Sequence, residues 1–178
     1  MSDTEQRPPR EIRAALDAHS TLTLAYADED GPQACAVLYA LAGPAEPAGP
    51  PGDDTTALLF VTSATTRHGR ALVAASTGDP GTGDPGGGRV AFTAQRDGQV
   101  WTALTGIQGR GTCRRLEGAE REAGWRAYTE RFPYVDHNDR LRQAMERTDL
   151  WELRPDWLRL IDNGQGFGHK TEWTRPAA

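Results

Sequence analysis

The segment 60–68, FVTSATTRH, concentrates polar side chains that could do chemistry together. Thr62, Ser63 and Thr66 each carry a hydroxyl group that can donate or accept a hydrogen bond, and Arg67 adds a planar guanidinium. Hydroxyl groups, the N–H groups at a helix N-terminus and a guanidinium can all converge on one anion, and a phosphate suits them well. The segment therefore predicts an anion site.

A second interpretation gives the same residues only structural work. Thr65 or Thr66 would cap a helix that begins here, and Arg67 would face water. His68 would be only partly charged near neutral pH, so any contribution it makes to binding an anion would be weak or would depend on pH. The spacing alone leaves both interpretations open.

The elements around this segment follow from hydrophobic periodicity. Residues 57–63 predict a strand and residues from Thr66 onward predict a helix, so the polar segment lies at a strand-to-helix junction. A short helix is predicted at 11–19. Residues 21–27 and 33–41 alternate as two strands around the turn DEDG, which indicates a β-hairpin.

The second half of the chain predicts another hairpin and further helices. Strands at 89–95 and 100–117 are joined by the turn RDGQ, and the glycines in the second strand indicate a bulge or a close backbone approach. One helix ends at Pro133, and its stripe of Trp125, Tyr128 and Phe132 indicates core or an interface between subunits. A second helix is predicted at 136–148. Three short strands, LWEL, WLRLID and KTEWTR, close the chain. Six or seven antiparallel strands with three or four helices predict a mainly β fold, a closed or split barrel with peripheral helices.

The composition favours one folded domain over residues 1–178. The chain has 178 residues, and Gly/Pro-rich stretches at 43–54 and 77–88 are interpreted as loop insertions. The net charge is −5 and the arginines are scattered from Arg7 to Arg175, a pattern that argues against nucleic acid as a partner.

The same survey argues against metal, disulfide and membrane roles. Cys35 and Cys113 lack zinc-site spacing, and the four histidines form no HxxxH or HExxH pair. The polar N-terminus and the lack of long apolar runs disfavour secretion and membrane insertion. We therefore expect a cytoplasmic protein.

The order of these features, with the segments RRLEG, RFP and DNxxGFGxK, resembles the pyridoxamine 5′-phosphate oxidase-like FMN-binding split barrels, and within them the bacterial YhbP-like group. The resemblance spans about residues 10 to 175. It implies a six-stranded antiparallel split barrel and a homodimer that binds FMN in two clefts between subunits. It also implies a flavin-dependent reductase or oxidase acting on a small molecule, with NADH or NADPH as an electron donor.

The resemblance also implies which residues hold the cofactor. Val61 and Thr62 stand beside the FMN, Arg67 and His68 stand where relatives have a phosphate-binding Arg-Lys pair, and His68 departs from that pattern. The expected cofactor residues, including those of the junction itself, are Val37, Leu38, Val61, Thr62, Ser63, Thr66, Arg67, His68, Gln108 and Trp173. The motif of true pyridoxamine phosphate oxidases that carries a C-terminal arginine is not found, which argues against vitamin B6 oxidation. No catalytic residue is assigned.

The C-terminal segment DNGQGFGHKTEW is expected to close over a planar ligand, with Asn163, Phe167, His169 and Lys170 on a Gly-rich loop and Trp173 stacking. The alternative is a closing turn with a core tryptophan. Some split barrels bind haem or a deazaflavin instead of FMN, and His169 would then be the candidate axial ligand. A third possibility is a non-catalytic flavin-binding or interaction dimer.

Overall fold

A computed structural model describes residues 7–42, 56–76 and 88–176. Helices and strands follow in the order α1 (Arg10–Ala18), β1 (Thr21–Asp28), β2 (Gly31–Leu41), β3 (Leu58–Thr62), α2 (Arg67–Ser76), β4 (Gly88–Gln95), β5 (Thr105–Arg115), α3 (Gly118–Arg131), α4 (Asp139–Glu146), β6 (Asp149–Asp162) and β7 (Lys170–Thr174). The predicted insertions at 43–54 and 77–88 lie outside the described residues, except for Gly88.

The seven strands form one antiparallel sheet in the order β3-β2-β1-β4-β5-β6-β7. An additional pairing of β3 with β6 closes six of these strands into a ring, and β7 lies outside it. Closure gives both edges of the six-stranded sheet a hydrogen-bonded neighbour, so neither edge strand is left open. The predicted barrel with peripheral helices is confirmed.

Strand β6 differs from the sequence prediction. LWEL and WLRLID were expected to be two strands, but they form one 14-residue strand. Arg110 pairs with Trp157 and Gly111 pairs with Pro155, so Asp156 is the extra residue of a β-bulge. Proline is tolerated at a bulge because no ladder hydrogen bond is required of it there. The first half of β6 therefore pairs with β3 while its second half pairs with β7.

The hairpin of β4 and β5 also differs from the prediction. Strand β5 begins only at Thr105, because a short 3-10 turn occupies Trp101–Ala103. The Gln99 side chain closes the connection by accepting a hydrogen bond from Thr105 N and donating to Arg96 O. Helix α4 is shorter than the predicted segment 136–148. The remaining predicted helices and strands are found.

The inside of the barrel holds the larger of two hydrophobic clusters. Leu24, Phe60, Phe92 and Trp151 are each 2% exposed or less and belong to it. Gly109 makes room for the Phe92 ring, since a Cβ at Gly109 would lie 2.4 Å from that ring. Close approach, as predicted, explains this glycine.

The smaller cluster lies on the outer side of β3 under α3 and α4. Tyr128, Phe132 and Val135 pack there with Leu59 and Leu150. Trp125 is only partly buried at the edge of this cluster and stacks on Tyr128. The aromatic stripe of α3 is therefore part of the core, as one of the two interpretations predicted.

Helices α1 and α2 pack against the two ends of the barrel. Ile12 and Leu16 of α1 are 0% exposed, and the Tyr39 hydroxyl donates a 2.5 Å hydrogen bond to Leu16 O. Leu72 of α2 enters the same interior cluster from the other end. Strand β1 starts just after α1 and runs for eight residues toward α2. The two helices are therefore separated by roughly 25 Å along this strand.

Candidate functional site

The predicted junction between β3 and α2 is present, and Thr66 organises it. Thr66 Oγ1 accepts a hydrogen bond from Gly69 N at 3.1 Å and donates one to Ser63 O at 2.8 Å. A Cβ at Gly69 would lie 2.0 Å from Ser63 O, so only glycine allows the first turn of α2 to approach the end of β3 this closely. Thr66 is therefore the N-cap that the structural interpretation predicted.

A buried layer of hydrogen bonds lies under this cap. Thr62 Oγ1 is 2.5 Å from His68 Nε2 and 3.1 Å from Thr66 Oγ1. Because the Thr66 hydroxyl donates to Ser63 O, one order of donors satisfies these contacts: His68 donates to Thr62, and Thr62 donates to Thr66. The Thr62 carbonyl accepts from Trp151 Nε1 at 3.2 Å. The hydroxyl groups of Thr62 and Thr66 are thus used in hydrogen bonds within the protein.

His68 belongs to this buried layer. Burial lowers the pKa of its imidazole below the ordinary value, so the ring is neutral at neutral pH. The Tyr26 ring lies against it, with the two ring centroids 6.2 Å apart. His68 therefore does not carry the full positive charge of a lysine at neutral pH.

An exposed layer of the junction faces away from the core. Ser63 Oγ accepts from Thr65 N at 3.2 Å and lies 2.8 Å from Thr65 Oγ1. Asp149 Oδ2 accepts from Ala64 N at 2.9 Å, which fixes the loop to the start of β6. Ser63 and Thr65 are the hydroxyl groups of the junction that remain accessible from outside.

Arg67 is the first residue of α2, and it is already paired with two carboxylates. Its Nε donates to Asp28 Oδ2 at 2.6 Å, and its Nη2 donates to Asp30 Oδ2 at 2.5 Å. The hydrogen bond from Arg67 lowers the pKa of Asp28, so both partners stay charged at neutral pH. The Arg67 side chain is 47% exposed. An anion at the junction would therefore have to compete with Asp28 and Asp30.

Asp28 and Asp30 were not among the site residues expected from the sequence. The segment DEDG was interpreted only as a turn, and the hairpin it forms carries both carboxylates to the N-terminus of α2. The signal that could have found them is a pair of acids in a turn whose strand ends beside the predicted arginine.

Three of the four expected flavin contacts on β2 and β3, Val37, Leu38 and Val61, point in different directions. Val37 is 8% exposed and belongs to the interior cluster, whereas Leu38 is 40% exposed on the outer face. Val61 packs against the outer cluster under α3 and α4. Of these three residues, Leu38 offers the most surface to a ligand.

Among the described residues, no hydrogen bond or ring contact joins Gln108 or Trp173 to the junction. Gln108 lies on the outer face, where Arg159 Nη1 donates to its Oε1 across 3.5 Å. Trp173 is 7% exposed in the interior cluster, and its Nε1 is buried with no hydrogen-bond partner in the described part of the chain. The structure gives Trp173 the position of a core tryptophan.

The C-terminal Gly-rich loop is organised by Asn163. Its Nδ2 donates to Trp101 O at 2.7 Å, and its Oδ1 accepts from Gly168 N at 2.9 Å. Phe167 is 82% exposed and lies near the exposed ring of Trp101, their centroids 6.4 Å apart. Asn163 therefore holds the loop together, while His169 lies exposed at its end.

Within 7–42, 56–76 and 88–176, no group of three or more His, Cys, Asp or Glu side chains is arranged to hold a metal ion. In the same residues, no helix has the length and apolar character needed to span a membrane.

Solved structures with the same fold include a heme binding protein from Mycobacterium smegmatis. It has a TM-score of 0.64 at 21% identity over 98% of this chain and 58% of its own length. A protein related to general stress protein 26 from Clostridium acetobutylicum, assigned to the pyridoxinephosphate oxidase family, has a TM-score of 0.57 at 12% identity, covering 98% of this chain and 96% of its own. At these identities the similarity establishes the split-barrel fold.

Sequence relatives identify the family. No known protein-family profile matches the chain. A UPF0306 protein of Klebsiella pneumoniae is 32% identical over 124 residues, which are 70% of this chain and 71% of that relative. UPF0306 protein YhbP of Escherichia coli O157:H7 is 36% identical over 86 residues, 48% of this chain and 53% of that relative. The extent of the Klebsiella alignment, together with the split-barrel fold, means that the chain belongs to the UPF0306 family.

Proposed function

We propose that this protein binds FMN at the junction of β3 and α2 and acts as a flavin-dependent oxidoreductase on a small molecule. The observation that carries the proposal is the convergence of hydroxyl groups, the N-terminus of α2 and the Arg67 guanidinium at one rim of the barrel. The fold shared with a protein of the pyridoxinephosphate oxidase family supports it.

The donors at the junction fit a phosphate group. The first N–H groups of an α-helix have no partner within the helix, and Thr66 takes only that of Gly69. The N–H groups of Arg67 and His68 and the hydroxyl groups of Ser63 and Thr65 can therefore turn to an anion. Arg67 uses Nε and Nη2 for Asp28 and Asp30, which leaves Nη1 as a further donor.

The chain's own residues would bind and orient the cofactor. Arg67, Ser63 and the N-terminus of α2 would hold the phosphate, and Leu38 would offer an exposed apolar surface to the ring. Bound FMN supplies hydride or electron transfer, so the protein need not provide an acid or base of its own. NADH or NADPH is the proposed electron donor.

The proposal includes a homodimer. Thr23 pairs with Ala36 on one side and with Thr93 on the other, and all three side chains are exposed on the outer face of the sheet. A sheet face with short side chains lets a second subunit approach closely. Light scattering of the purified chain measures the mass, and a monomer at micromolar concentration contradicts the dimer.

Haem is the second candidate ligand. The fold is shared with a heme binding protein, and the exposed His169 lies at the end of the Gly-rich loop, where its imidazole is accessible as an axial ligand. A His169→Ala variant would lose haem and keep FMN, which separates the two candidates.

The visible absorption spectrum of the purified protein, followed by titration with FMN, tests the proposed function. Flavin bands, or quenching of FMN fluorescence on binding, support it, and bleaching of bound FMN by NADH or NADPH supports the oxidoreductase. A Soret band supports haem instead. A colourless protein that leaves FMN fluorescence unchanged would overturn the flavin proposal.

A further inference from the structure

A cavity of about 520 Å³ lies at the α1 end of the barrel, at the end of β3 opposite to the junction. Arg7, Arg10 and Arg13 line it together with Leu16 and Asp17. These arginines belong to a set that is scattered along the sequence, and the fold brings the three of them to one opening. The volume lies within the roughly 300–1,000 Å³ that small-molecule sites usually enclose.

The three arginines have no carboxylate partner. Within the described residues, the ion pairs of the protein involve other arginines, and none reaches Arg7, Arg10 or Arg13. Asp17 is the one acidic residue of the lining, and its Oδ1 lies 3.7 Å from Arg131 Nη1. Among the described residues of the lining, three arginines therefore face a single carboxylate, which leaves an excess of positive charge.

The position of α1 adds to this charge. Arg10 and Arg13 are three residues apart and so lie on the same side of the helix. Pro9 precedes the helix as N-cap and provides no side-chain hydrogen bond to its first turn. The free N–H groups of that turn carry a partial positive charge. Leu16, on the same side of the helix, is 0% exposed at the inner end of the cavity.

Arg13 carries a further sign of a missing partner. Its Nε is buried, yet it has no hydrogen-bond acceptor within the described residues. Buried N–H groups in proteins are almost always paired with protein, water or ligand, because leaving one unpaired is costly. The Arg13 guanidinium therefore keeps hydrogen-bonding capacity that no described residue uses, and its side chain lines the cavity.

From these observations we propose that the cavity binds the diphosphate group of a small molecule, such as a nucleoside diphosphate. Guanidinium groups bind phosphate oxygens in pairs of parallel hydrogen bonds. Three of them match a group with two phosphates better than a single phosphate or carboxylate. This site is distinct from the junction, and it does not depend on the proposed flavin function.

Isothermal titration of the full chain with sodium pyrophosphate at low ionic strength tests the site. We expect saturable binding that weakens as salt is added. Arg13→Gln and Arg10→Gln should each weaken binding roughly tenfold or more, the loss typical of a charge-assisted hydrogen bond. Arg126→Gln, which changes an exposed arginine of α3 outside the cavity, should leave binding unchanged. Absence of binding to the native chain, or equal binding by all three variants, would overturn the proposal.

Further titrations identify the source of the diphosphate. ADP binding together with no binding of adenosine supports recognition through the diphosphate, and tighter binding of ADP than of pyrophosphate supports a nucleotide. Equal binding of ADP and adenosine contradicts the proposal. Thermal unfolding without ligand checks that each variant is folded, and exposed Arg10 gives the decisive variant if Arg13→Gln is unstable. FMN affinity should be unchanged in both variants, so failure of this site and failure of the junction are distinguishable.

Discussion

The arginines at the two ends of the barrel differ in whether carboxylates pair with them. At the α2 end, Arg67 forms ion pairs with Asp28 and Asp30. At the α1 end, Arg10 and Arg13 line a cavity without a carboxylate partner in the described residues. An arginine in a suggestive sequence segment is therefore not by itself an available charge. Its partners in the fold decide how much of that charge a ligand can use.

The difference arises from how each end is built. The β1–β2 turn contains acidic residues because a tight turn favours Asp and Gly, and the hairpin delivers them to α2. The chain before α1 has no such turn against it in the described residues. Four experiments test this contrast, and they follow in order of decreasing expected effect.

Gly69→Ala should give the largest effect, at the α2 end. The new Cβ would lie 2.0 Å from Ser63 O, so the first turn of α2 must move away from β3. We expect a loss of about 3 kcal/mol in the free energy of unfolding, the upper part of the range for overpacking. Urea denaturation measures it. Gly106→Ala, whose Cβ would meet Gln95 Cβ at 3.2 Å, is the milder control. Equal stability of the two variants would contradict the close approach.

Tyr39→Phe probes the α1 end. The variant removes the buried hydrogen bond from the Tyr39 hydroxyl to Leu16 O and leaves that carbonyl unpaired. We expect a loss of about 1–2 kcal/mol in stability. Tyr134→Phe, at a residue that is 50% exposed, should change stability little. Thermal or urea unfolding compares the stability of the two variants. A Tyr39→Phe variant as stable as the native chain would show that the hydrogen bond to Leu16 O does not stabilise the α1 end.

Asp28→Asn tests the ion pair between Asp28 and Arg67. Removing this carboxylate frees Nε of Arg67 and reduces the repulsion felt by a phosphate at the junction. We expect FMN affinity to rise by roughly three- to tenfold, an effect that shrinks with added salt. Asp139→Asn, on exposed α4, serves as the charge-matched control. Weaker FMN binding by the Asp28 variant would show that the carboxylate assists the cofactor rather than competing with it.

The pH dependence of stability should show the smallest effect. Burial lowers the pKa of His68 below its unfolded value near 6.5. The group therefore contributes stability above pH 6.5 and loses it as the pH falls through the folded-state pKa. His68→Gln should flatten part of the decline in Tm between pH 7 and pH 5. Since burial also lowers the pKa of His19, the decline should persist in part. An identical pH profile in the variant would contradict the assignment.

Local sequence patterns predicted most of the helices and strands but fewer of the contacts at the candidate site. Alternation at residues 21–27 gave the first hairpin, and the segment before Arg67 gave the junction, because both depend on neighbours in sequence. LWEL and WLRLID, which flank Pro155, were expected to be two strands, whereas the bulge at Asp156 lets β6 continue through them. Whether a proline ends a strand depends on the partner strand, which periodicity does not contain.

The partners of the arginines were beyond the reach of sequence patterns. Asp28 is 39 residues away from Arg67 in the chain, and the fold alone brings them together. The cavity at α1 requires Arg10 and Arg13 to meet Leu41 at the end of β2. Residues of one type that are spread along a sequence become a site only through such tertiary packing.

One titration tests the difference between the two ends of the barrel. FMN is added to the native chain, to Arg67→Gln and to Arg13→Gln in the same buffer, and quenching of FMN fluorescence measures the affinity. We predict that Arg67→Gln weakens FMN binding by roughly tenfold, the loss typical of a charge-assisted contact, while Arg13→Gln binds like the native chain. If Arg13→Gln loses FMN and Arg67→Gln keeps it, the flavin phosphate belongs at the α1 end, and the assignment of the two ends is wrong.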